Sequence, residues 1–169
     1  MVSTMTMAEP KVERIVRFPI DATHTKSIDA AIVVCIDPRW WNKRGGNSIS
    51  SVQALVDAKA WTFVPLSEAG GIKVIASDDP ADADRRETLL ARIEQEIGLH
   101  HPRILALTVH RDCGAYGYAK AFNNDAEREN DRLYGDLQRA QEVLMPLFGS
   151  RARIEFYVFD AEGIEQVSF

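Results

Sequence analysis

The sequence predicts an α/β protein with a mainly parallel central sheet of four to five strands and helices on both faces. The first observation is that residues 29–36 and 103–109 are nearly unbroken aliphatic runs, which are typical of strands buried on both faces. The second is that segments with helical periodicity separate the strands. Since strands joined by a helix pair in parallel, this alternation favours a parallel sheet.

Turn and helix-end signals divide the chain further. The histidine and proline residues at 100–102 are expected to end one helix, because proline disfavours helical backbone in the residue before it. Pro146 is expected to fray the end of the next helix, and Gly70 and Gly71 to form a turn with no further role. The expected strands are 29–36, 61–66, 103–109 and 153–160, with a short extended piece at 72–76, and the expected helices are 48–57, 82–99 and 125–148.

Length and composition indicate one folded domain. The chain has 169 residues, of which 46% are hydrophobic and 27% charged, and this composition excludes collagen, coiled coil and wholesale disorder. Residues 1–28 are weakly patterned and are expected to form an N-terminal arm or a short helix without assigned chemistry. Residues 29–169 are expected to form a single α/β domain.

Charge and hydropathy exclude several kinds of partner. A net charge of −5 leaves no surplus of positive charge for nucleic acid. No apolar run approaches the ~18 residues of a membrane span, and the first seven residues lack the basic start and apolar centre of a secretory signal. We therefore expect a cytoplasmic protein with neither nucleic-acid nor membrane partners.

The first predicted strand ends in a group of chemically active side chains. Residues 35–39 read Cys-Ile-Asp-Pro-Arg. Alternate residues of extended chain lie on one side, so Cys35, Asp37 and Arg39 would project together. Pro38 favours this interpretation because it keeps the preceding residue out of the helical region.

The third predicted strand runs into a second such group. Residues 110–117 read His-Arg-Asp-Cys-Gly-Ala-Tyr-Gly. His110 and Cys113 are three residues apart, a spacing that brings two ligands to one side of a turn or helix start. A helix amino end here would lower the pKa of the Cys113 thiol towards the thiolate, the form that binds metal.

Together these groups predict a zinc site. Cys35, His110 and Cys113 supply two sulfurs and one nitrogen, a ligand set that suits Zn²⁺. Structural zinc sites usually fill four positions, whereas three protein ligands leave the fourth position for water, as in catalytic sites. Asp37 is the one nearby group that could close the set as a fourth ligand. We therefore expect residues 29–169 to form a zinc-binding domain.

Simpler interpretations stay open at this point. A lone cysteine is more often a buried core residue than a ligand, and Asp37 and Arg39 could be a structural ion pair. A disulfide between Cys35 and Cys113 is compatible with adjacent strands, although it leaves His110 without a role. The two tryptophans at 40 and 41 are expected in the core or in a subunit contact.

The two motifs resemble those of the β-class carbonic anhydrases. Cys-x-Asp-x-Arg follows one strand and His-x-x-Cys-Gly follows another, and the longer run of residues 110–117 is similar to a short carbonic anhydrase-like branch of that family. The resemblance covers roughly residues 29–165, including a glycine-containing turn at residues 69–71 and a final strand that leads to residues 160–163.

The resemblance implies a lyase that catalyses the reversible hydration of CO₂ to bicarbonate by a zinc-bound hydroxide (carbonate dehydratase activity). Zinc would be held by Cys35, His110 and Cys113, and Asp37 would accept a hydrogen bond from the hydroxide while Arg39 holds it ionised. In the family's resting form this aspartate can bind zinc, so activity is expected to rise with pH as the Asp37–Arg39 pair becomes preferred. The resemblance also implies a homodimer or higher homo-oligomer, because the family's sites lie at subunit interfaces.

Departures from the family pattern leave two alternatives. Residues 67 and 68 are Ser-Glu where the family usually has Arg-Asn, and Pro38 stands where serine is common. One alternative is a catalytically silent carbonic anhydrase-like protein that binds a small anion or a partner. The other is a hydrolase of a CO₂-like molecule such as carbonyl sulfide or carbon disulfide.

Overall fold

The computed structural model of the protein describes residues 27–42 and 49–169. The arm or short helix expected at residues 1–28 lies outside the described residues except at its last two positions, and so does Ser48, the expected start of the first helix. No helix in the described part of the chain is both long and apolar enough to cross a membrane.

A five-stranded sheet forms the centre of the fold, with strand order β2-β1-β3-β4-β5. Its strands are β1 (Ala30–Cys35), β2 (Phe63–Glu68), β3 (Ile104–His110), β4 (Arg153–Phe159) and β5 (Ile164–Val167). All neighbouring strands pair in parallel except β4 and β5, which form an antiparallel hairpin. This arrangement confirms the predicted α/β fold with a mainly parallel sheet. The sequence did not assign β5, whose four residues form only a short edge strand.

Helices cover both faces of the sheet. They are α1 (Pro38–Trp41), α2 (Ser51–Lys59), α3 (Lys73–Ala76), α4 (Ala83–His100) and α5 (Ala126–Phe148). The side chains of β1 alternate between two cores: Val33 packs in the core beneath α3, α4 and α5, and Ile32 packs in the core shared with Trp40 and α2. The predicted helices on both faces are therefore confirmed. Each fully buried aliphatic side chain contributes about 1.5–3 kcal/mol to the free energy of folding.

Capping residues set the starts and ends of the helices. The Ser50 hydroxyl accepts from the Gln53 amide at the start of α2, and Asp125 accepts from the Glu127 and Arg128 amides at the start of α5. His101 ends α4 in the left-handed region with φ of 46°, directly before the proline that the sequence analysis used to end this helix.

The extended piece expected at residues 72–76 was wrong. Gly70 and Gly71 adopt φ of 79° and 63° and reverse the chain after β2, and residues 73–76 then form helix α3. Val74, Ile75 and Ala76 are buried in the core beneath α5. The sequence analysis was misled because a five-residue run with three β-branched side chains is compatible with either a strand or a buried helical turn.

Two smaller expectations were also wrong. Arg39 does not continue β1 as extended chain, because Pro38 occupies the first position of α1, where its fixed φ and missing N–H suit a helix. Asp37, with φ of −56° and ψ of 121°, does stay out of the helical region, as Pro38 predicted. Pro146 does not fray α5, which continues to Phe148. Phe148 is 3% exposed. We infer that its burial stabilises the final turn and compensates for the hydrogen bond that Pro146 cannot donate.

Candidate metal centre

The predicted ligands meet at the carboxyl edge of the parallel sheet. Cys35 is the last residue of β1, His110 is the last residue of β3, and Cys113 follows in the next loop. One ligand atom from each lies within 4.8 Å of the other two, and all three residues are buried. This cluster could hold a metal ion; the arrangement is compatible with zinc but does not by itself identify the metal.

Cys35 and His110 reach this point from opposite faces of the sheet. Cys35 belongs to the core beneath α3, α4 and α5, whereas the His110 ring packs against Trp40, with ring centroids 5.0 Å apart. The strands β1 and β3 are hydrogen-bonded neighbours, so side chains from both faces can converge where the two strands end.

The imidazole of His110 is oriented as a metal ligand. Its Nδ1 lies 2.9 Å from the backbone oxygen of Arg111, and a carbonyl can only accept, so Nδ1 carries the proton and donates. Nε2 is then the lone-pair nitrogen, and within residues 27–42 and 49–169 this buried atom has no hydrogen-bond partner. Donation from the second ring nitrogen to a carbonyl is the usual way in which proteins fix the tautomer of a metal-binding histidine.

The two cysteines are free thiols that interact with each other. Their Sγ atoms are 3.9 Å apart, so the disulfide that the sequence left open is not formed. The Cys113 thiol donates to the Cys35 sulfur and thereby lowers the pKa of Cys35 well below its usual range. The same interaction, together with burial, raises the pKa of Cys113.

The expectation that a helix start lowers the pKa of Cys113 was therefore wrong for this structure. Cys113 does precede a short 3₁₀ turn, Gly114–Tyr116. The backbone amides of Ala115 and Tyr116 do favour its thiolate, but the interaction with Cys35 and the burial outweigh them.

Gly70 supplies one of those hydrogen bonds. Its backbone N–H donates to Cys35 Sγ over 3.3 Å. The sequence analysis gave Gly70 and Gly71 no role beyond a turn and so missed this contact. A methyl group on Gly71 would lie 2.2 Å from the backbone oxygen of Thr108, so glycine there lets the turn lie directly on β3. The paired glycines after a predicted strand were the available signal.

Asp37 and Arg39 form a close ion pair beside the ligands. The Arg39 side chain donates through Nε and Nη2 to the Asp37 carboxylate, with the shortest contact 2.7 Å long. The Arg39 amide also donates to Asp37 Oδ1 at 2.8 Å, as the cap of α1. These bonds lower the pKa of Asp37 below its usual range. The same carboxylate oxygen, Oδ2, lies 3.9 Å from His110 Nε2.

Asp112 is a further member of this group that the sequence analysis did not select. Its Oδ2 accepts from Arg39 Nη1 at 2.9 Å, and its backbone oxygen accepts from Nη2. The Ala119 amide donates to Oδ1 and, with Arg39, lowers the pKa of Asp112. Asp112 adopts φ of 52°, and the buried Glu129 carboxylate accepts from its amide at 2.7 Å. Its position between His110 and Cys113 was the only sequence signal.

The two tryptophans of α1 differ in burial, and Trp41 is only half-buried. Trp40 is buried and packs against His110 and Phe159, and Trp41 donates its indole N–H to the backbone oxygen of Cys35 at 2.8 Å. Of the two expected positions, a core position is therefore correct for Trp40. Trp41 fixes the end of β1 through its hydrogen bond to Cys35.

A cavity of about 520 Å³ opens beside the candidate ligands. Its walls combine small or apolar residues with the polar groups already described: Cys35, Ile36, Asp37, Pro38, Arg39, Ala69, Gly70, Asp112, Cys113, Gly114, Ala115 and Tyr118. Ser67 and Glu68, which depart from the pattern of the resembled family, are not among these residues. Glu68 instead pairs with Arg85 and accepts from the Ala69 amide, so the departure lies behind the cavity wall.

No protein-family model matches the chain, and no curated protein sequence is significantly similar to it.

Proposed function

We propose that this protein is a zinc-dependent lyase that interconverts CO₂ and bicarbonate, in the manner of the β-class carbonic anhydrases. The observation that carries the proposal is the buried Nε2 of His110, which has no hydrogen-bond partner among the described residues and faces two thiols and an ionised carboxylate. A buried polar atom without a partner is costly, and a metal ion would satisfy it.

Zinc would be held by Cys35, His110 and Cys113. Zinc with three protein ligands lowers the pKa of a water in its fourth position to about 7, which makes a nucleophile available at neutral pH. Gly70 stabilises the Cys35 thiolate through its N–H, and the Arg111 carbonyl holds the His110 ring in the tautomer that leaves Nε2 free.

Asp37 and Arg39 would orient the attacking water. Because the pKa of Asp37 is lowered by Arg39, the carboxylate stays ionised at neutral pH and acts as a hydrogen-bond acceptor. It would accept the hydrogen of the water and direct the oxygen lone pair towards the substrate carbon. Arg39 is held in turn by Asp112, so the carboxylate is fixed before substrate binds.

The cavity suits a small molecule without hydrogen-bond donors. Ile36, Ala69 and Ala115 give it apolar walls next to the proposed zinc ligands, as a molecule such as CO₂ requires. We further propose that the protein works as a homodimer or larger homo-oligomer in which a second copy narrows this cavity. Ile36, 58% exposed on the cavity wall, is the apolar side chain that such a contact would cover.

Stopped-flow measurement of CO₂ hydration tests the function. We expect the zinc-loaded protein to accelerate hydration and Asp37→Ala to reduce kcat by about 100-fold while zinc stays bound. Asp57→Ala, a surface carboxylate on α2, is the matched control and should keep full activity.

CO₂ hydration, together with a hydrogen sulfide release assay, separates the alternatives. A zinc-loaded protein with no rate above buffer would contradict the proposed function and favour a catalytically silent anion- or partner-binding protein. Release of hydrogen sulfide from carbonyl sulfide or carbon disulfide, without CO₂ hydration, would instead favour the hydrolase.

A further inference from the structure

Tyr118 has a backbone conformation that is unusual for a residue with a side chain. Its φ is 63° and its ψ is 177°, a region that is essentially restricted to glycine because a Cβ collides with the backbone there. Two backbone hydrogen bonds maintain the conformation: the Tyr118 amide donates to the oxygen of Cys113, and the Ala121 amide donates to the oxygen of Tyr118, each at 3.0 Å.

Core packing does not explain why a tyrosine occupies this position. The side chain is 49% exposed. In the part of the chain that the structure describes, its hydroxyl has no hydrogen-bond partner. A glycine would adopt this backbone at no steric cost, and a half-exposed ring returns little burial energy. Strained residues of this kind cluster at functional sites.

The strain places the phenol on the wall of the site cavity. Tyr118 lines the cavity together with Gly114, and its ring end lies above that glycine. A methyl group on Gly114 would be 3.0 Å from the Tyr118 hydroxyl and 3.1 Å from Cζ. Glycine at 114 therefore makes room for the phenol next to Cys113, and the conformation of Tyr118 brings the hydroxyl there.

The other polar side chains of the cavity cannot take this role. Asp37 and Asp112 are carboxylates and repel an anion. Arg39 directs Nε, Nη1 and Nη2 to these two carboxylates and to the Asp112 backbone oxygen, so four of its five N–H donors are already used. The Lys120 ammonium lies 5.8 Å from the centre of the Tyr118 ring and adds positive charge on that side of the cavity wall.

We propose that the Tyr118 hydroxyl donates a hydrogen bond to a small oxyanion, bicarbonate in the proposed reaction, bound in the site cavity. The inference rests on the proposed function for the identity of the anion. It makes Tyr118 a substrate-binding residue, and it gives the strained backbone a purpose that neither packing nor metal binding supplies.

Three variants of the zinc-loaded protein test the inference. Tyr118→Phe removes only the hydroxyl. Tyr118→Gly removes the side chain and relieves the backbone strain. Tyr134→Phe is the matched control, because Tyr134 is a partly buried tyrosine on α5 that does not line the cavity. The readouts are bicarbonate binding by ¹³C NMR line broadening, the KM and kcat of bicarbonate dehydration, the thermal unfolding midpoint and the sedimentation coefficient.

We expect both Tyr118 variants to weaken bicarbonate binding and to raise KM by about 10- to 100-fold, the loss of one hydrogen bond to an anion, with a smaller change in kcat. The unfolding midpoint of Tyr118→Gly should equal or exceed that of the wild type, and Tyr134→Phe should match the wild type in bicarbonate affinity. Unchanged affinity in Tyr118→Phe would overturn the inference, and a changed sedimentation coefficient with unchanged affinity would make Tyr118 a subunit contact instead.

The two proposals fail differently. Wild-type protein that binds bicarbonate through Tyr118 but does not hydrate CO₂ would contradict the proposed function and support the inference. CO₂ hydration by the wild type, with bicarbonate affinity and KM unchanged in Tyr118→Phe, would do the reverse. Wild-type protein that neither binds bicarbonate nor turns it over would overturn both.

Discussion

Arg39 Nη1 donates to Asp112 Oδ2 at 2.9 Å, and this contact joins helix α1, which follows β1, to the loop after β3. Cys35 ends β1 just before α1, and Cys113 lies in the loop after β3. The Arg39–Asp112 pair therefore holds together the two halves of the candidate metal centre, while the other donors of the same guanidinium orient Asp37.

Arg39→Lys should keep zinc but lose activity. A lysine ammonium keeps the charge but cannot donate in a planar fork to two carboxylates at once. We expect kcat for CO₂ hydration to fall about 10- to 100-fold and the free energy of unfolding to fall by ~1 kcal/mol, measured by stopped flow and urea titration. Arg103→Lys, which changes an exposed pair with Asp29 at the opposite edge of the sheet, is the control. If the two substitutions reduced kcat and the free energy of unfolding equally, the proposed role of Arg39 in the site would be contradicted.

Zinc binding should depend on Cys113. We expect the purified protein to contain about one zinc per chain and Cys113→Ser to contain almost none, since losing a thiolate from a three-residue ligand set removes much of the affinity. His101→Ala, a histidine outside the cluster, should keep its zinc. Removal of the metal by a chelator should lower the thermal unfolding midpoint, because zinc binds the folded chain more tightly than the unfolded chain. Full zinc content in Cys113→Ser, measured by mass spectrometry of the metal, would contradict the ligand assignment.

Gly71→Ala should strongly destabilise the fold. The new methyl group would lie 2.2 Å from the Thr108 oxygen, at a residue with φ of 63°. Overpacking and backbone strain together should reduce the free energy of unfolding by about 3–4 kcal/mol. Gly98→Ala is the contrasting control: nothing lies within 4 Å of the new methyl group in the exposed last turn of α4, so stability should rise by about 0.5–1 kcal/mol. Urea midpoints measure both, and a Gly71→Ala protein as stable as the wild type would contradict the close approach to β3.

The acid stability of the fold should depend on Asp29. The Thr62 amide, the Arg103 guanidinium and the Thr62 hydroxyl lower the pKa of Asp29 from 3.8 to about 2. Because the folded pKa is depressed, the stabilisation is fully present above pH 4 and is lost as pH falls through about 2. Linkage sets an upper limit of ~2.5 kcal/mol, and since the side chain is 23% exposed we expect ~1 kcal/mol after solvent screening.

Asp29→Asn tests that dependence. The free energies of unfolding of the metal-free wild type and variant are measured between pH 5 and pH 2. The difference between them should shrink by ~1 kcal/mol from pH 5 to pH 2. Metal-free protein is used because protons also displace zinc from its ligands. If the two plots of unfolding free energy against pH are parallel, Asp29 does not contribute to the acid dependence of stability.

Local sequence patterns predicted much of the fold. The aliphatic runs of β1 and β3 identified buried strands because a parallel strand covered on both faces needs apolar side chains at every position. The stripe of Leu89, Ile93 and Ile97 identified α4, whose observed start and end differ from the expected ones by one residue each. The same reasoning failed at residues 72–76, where burial against α5 rather than residue preference decided the conformation.

The sequence by itself determined which residue types stand at the ends of the two central strands, and therefore that two thiols, an imidazole and a carboxylate–guanidinium pair could meet there. Only the tertiary structure decided that Gly70 donates to Cys35, that Asp112 anchors Arg39 and that Tyr118 presents its hydroxyl to the cavity. These contacts join residues up to 73 positions apart or depend on a strained backbone. Periodicity and spacing report on neighbours along the chain, whereas such contacts exist only once the strands have paired and the loops have closed over their edge.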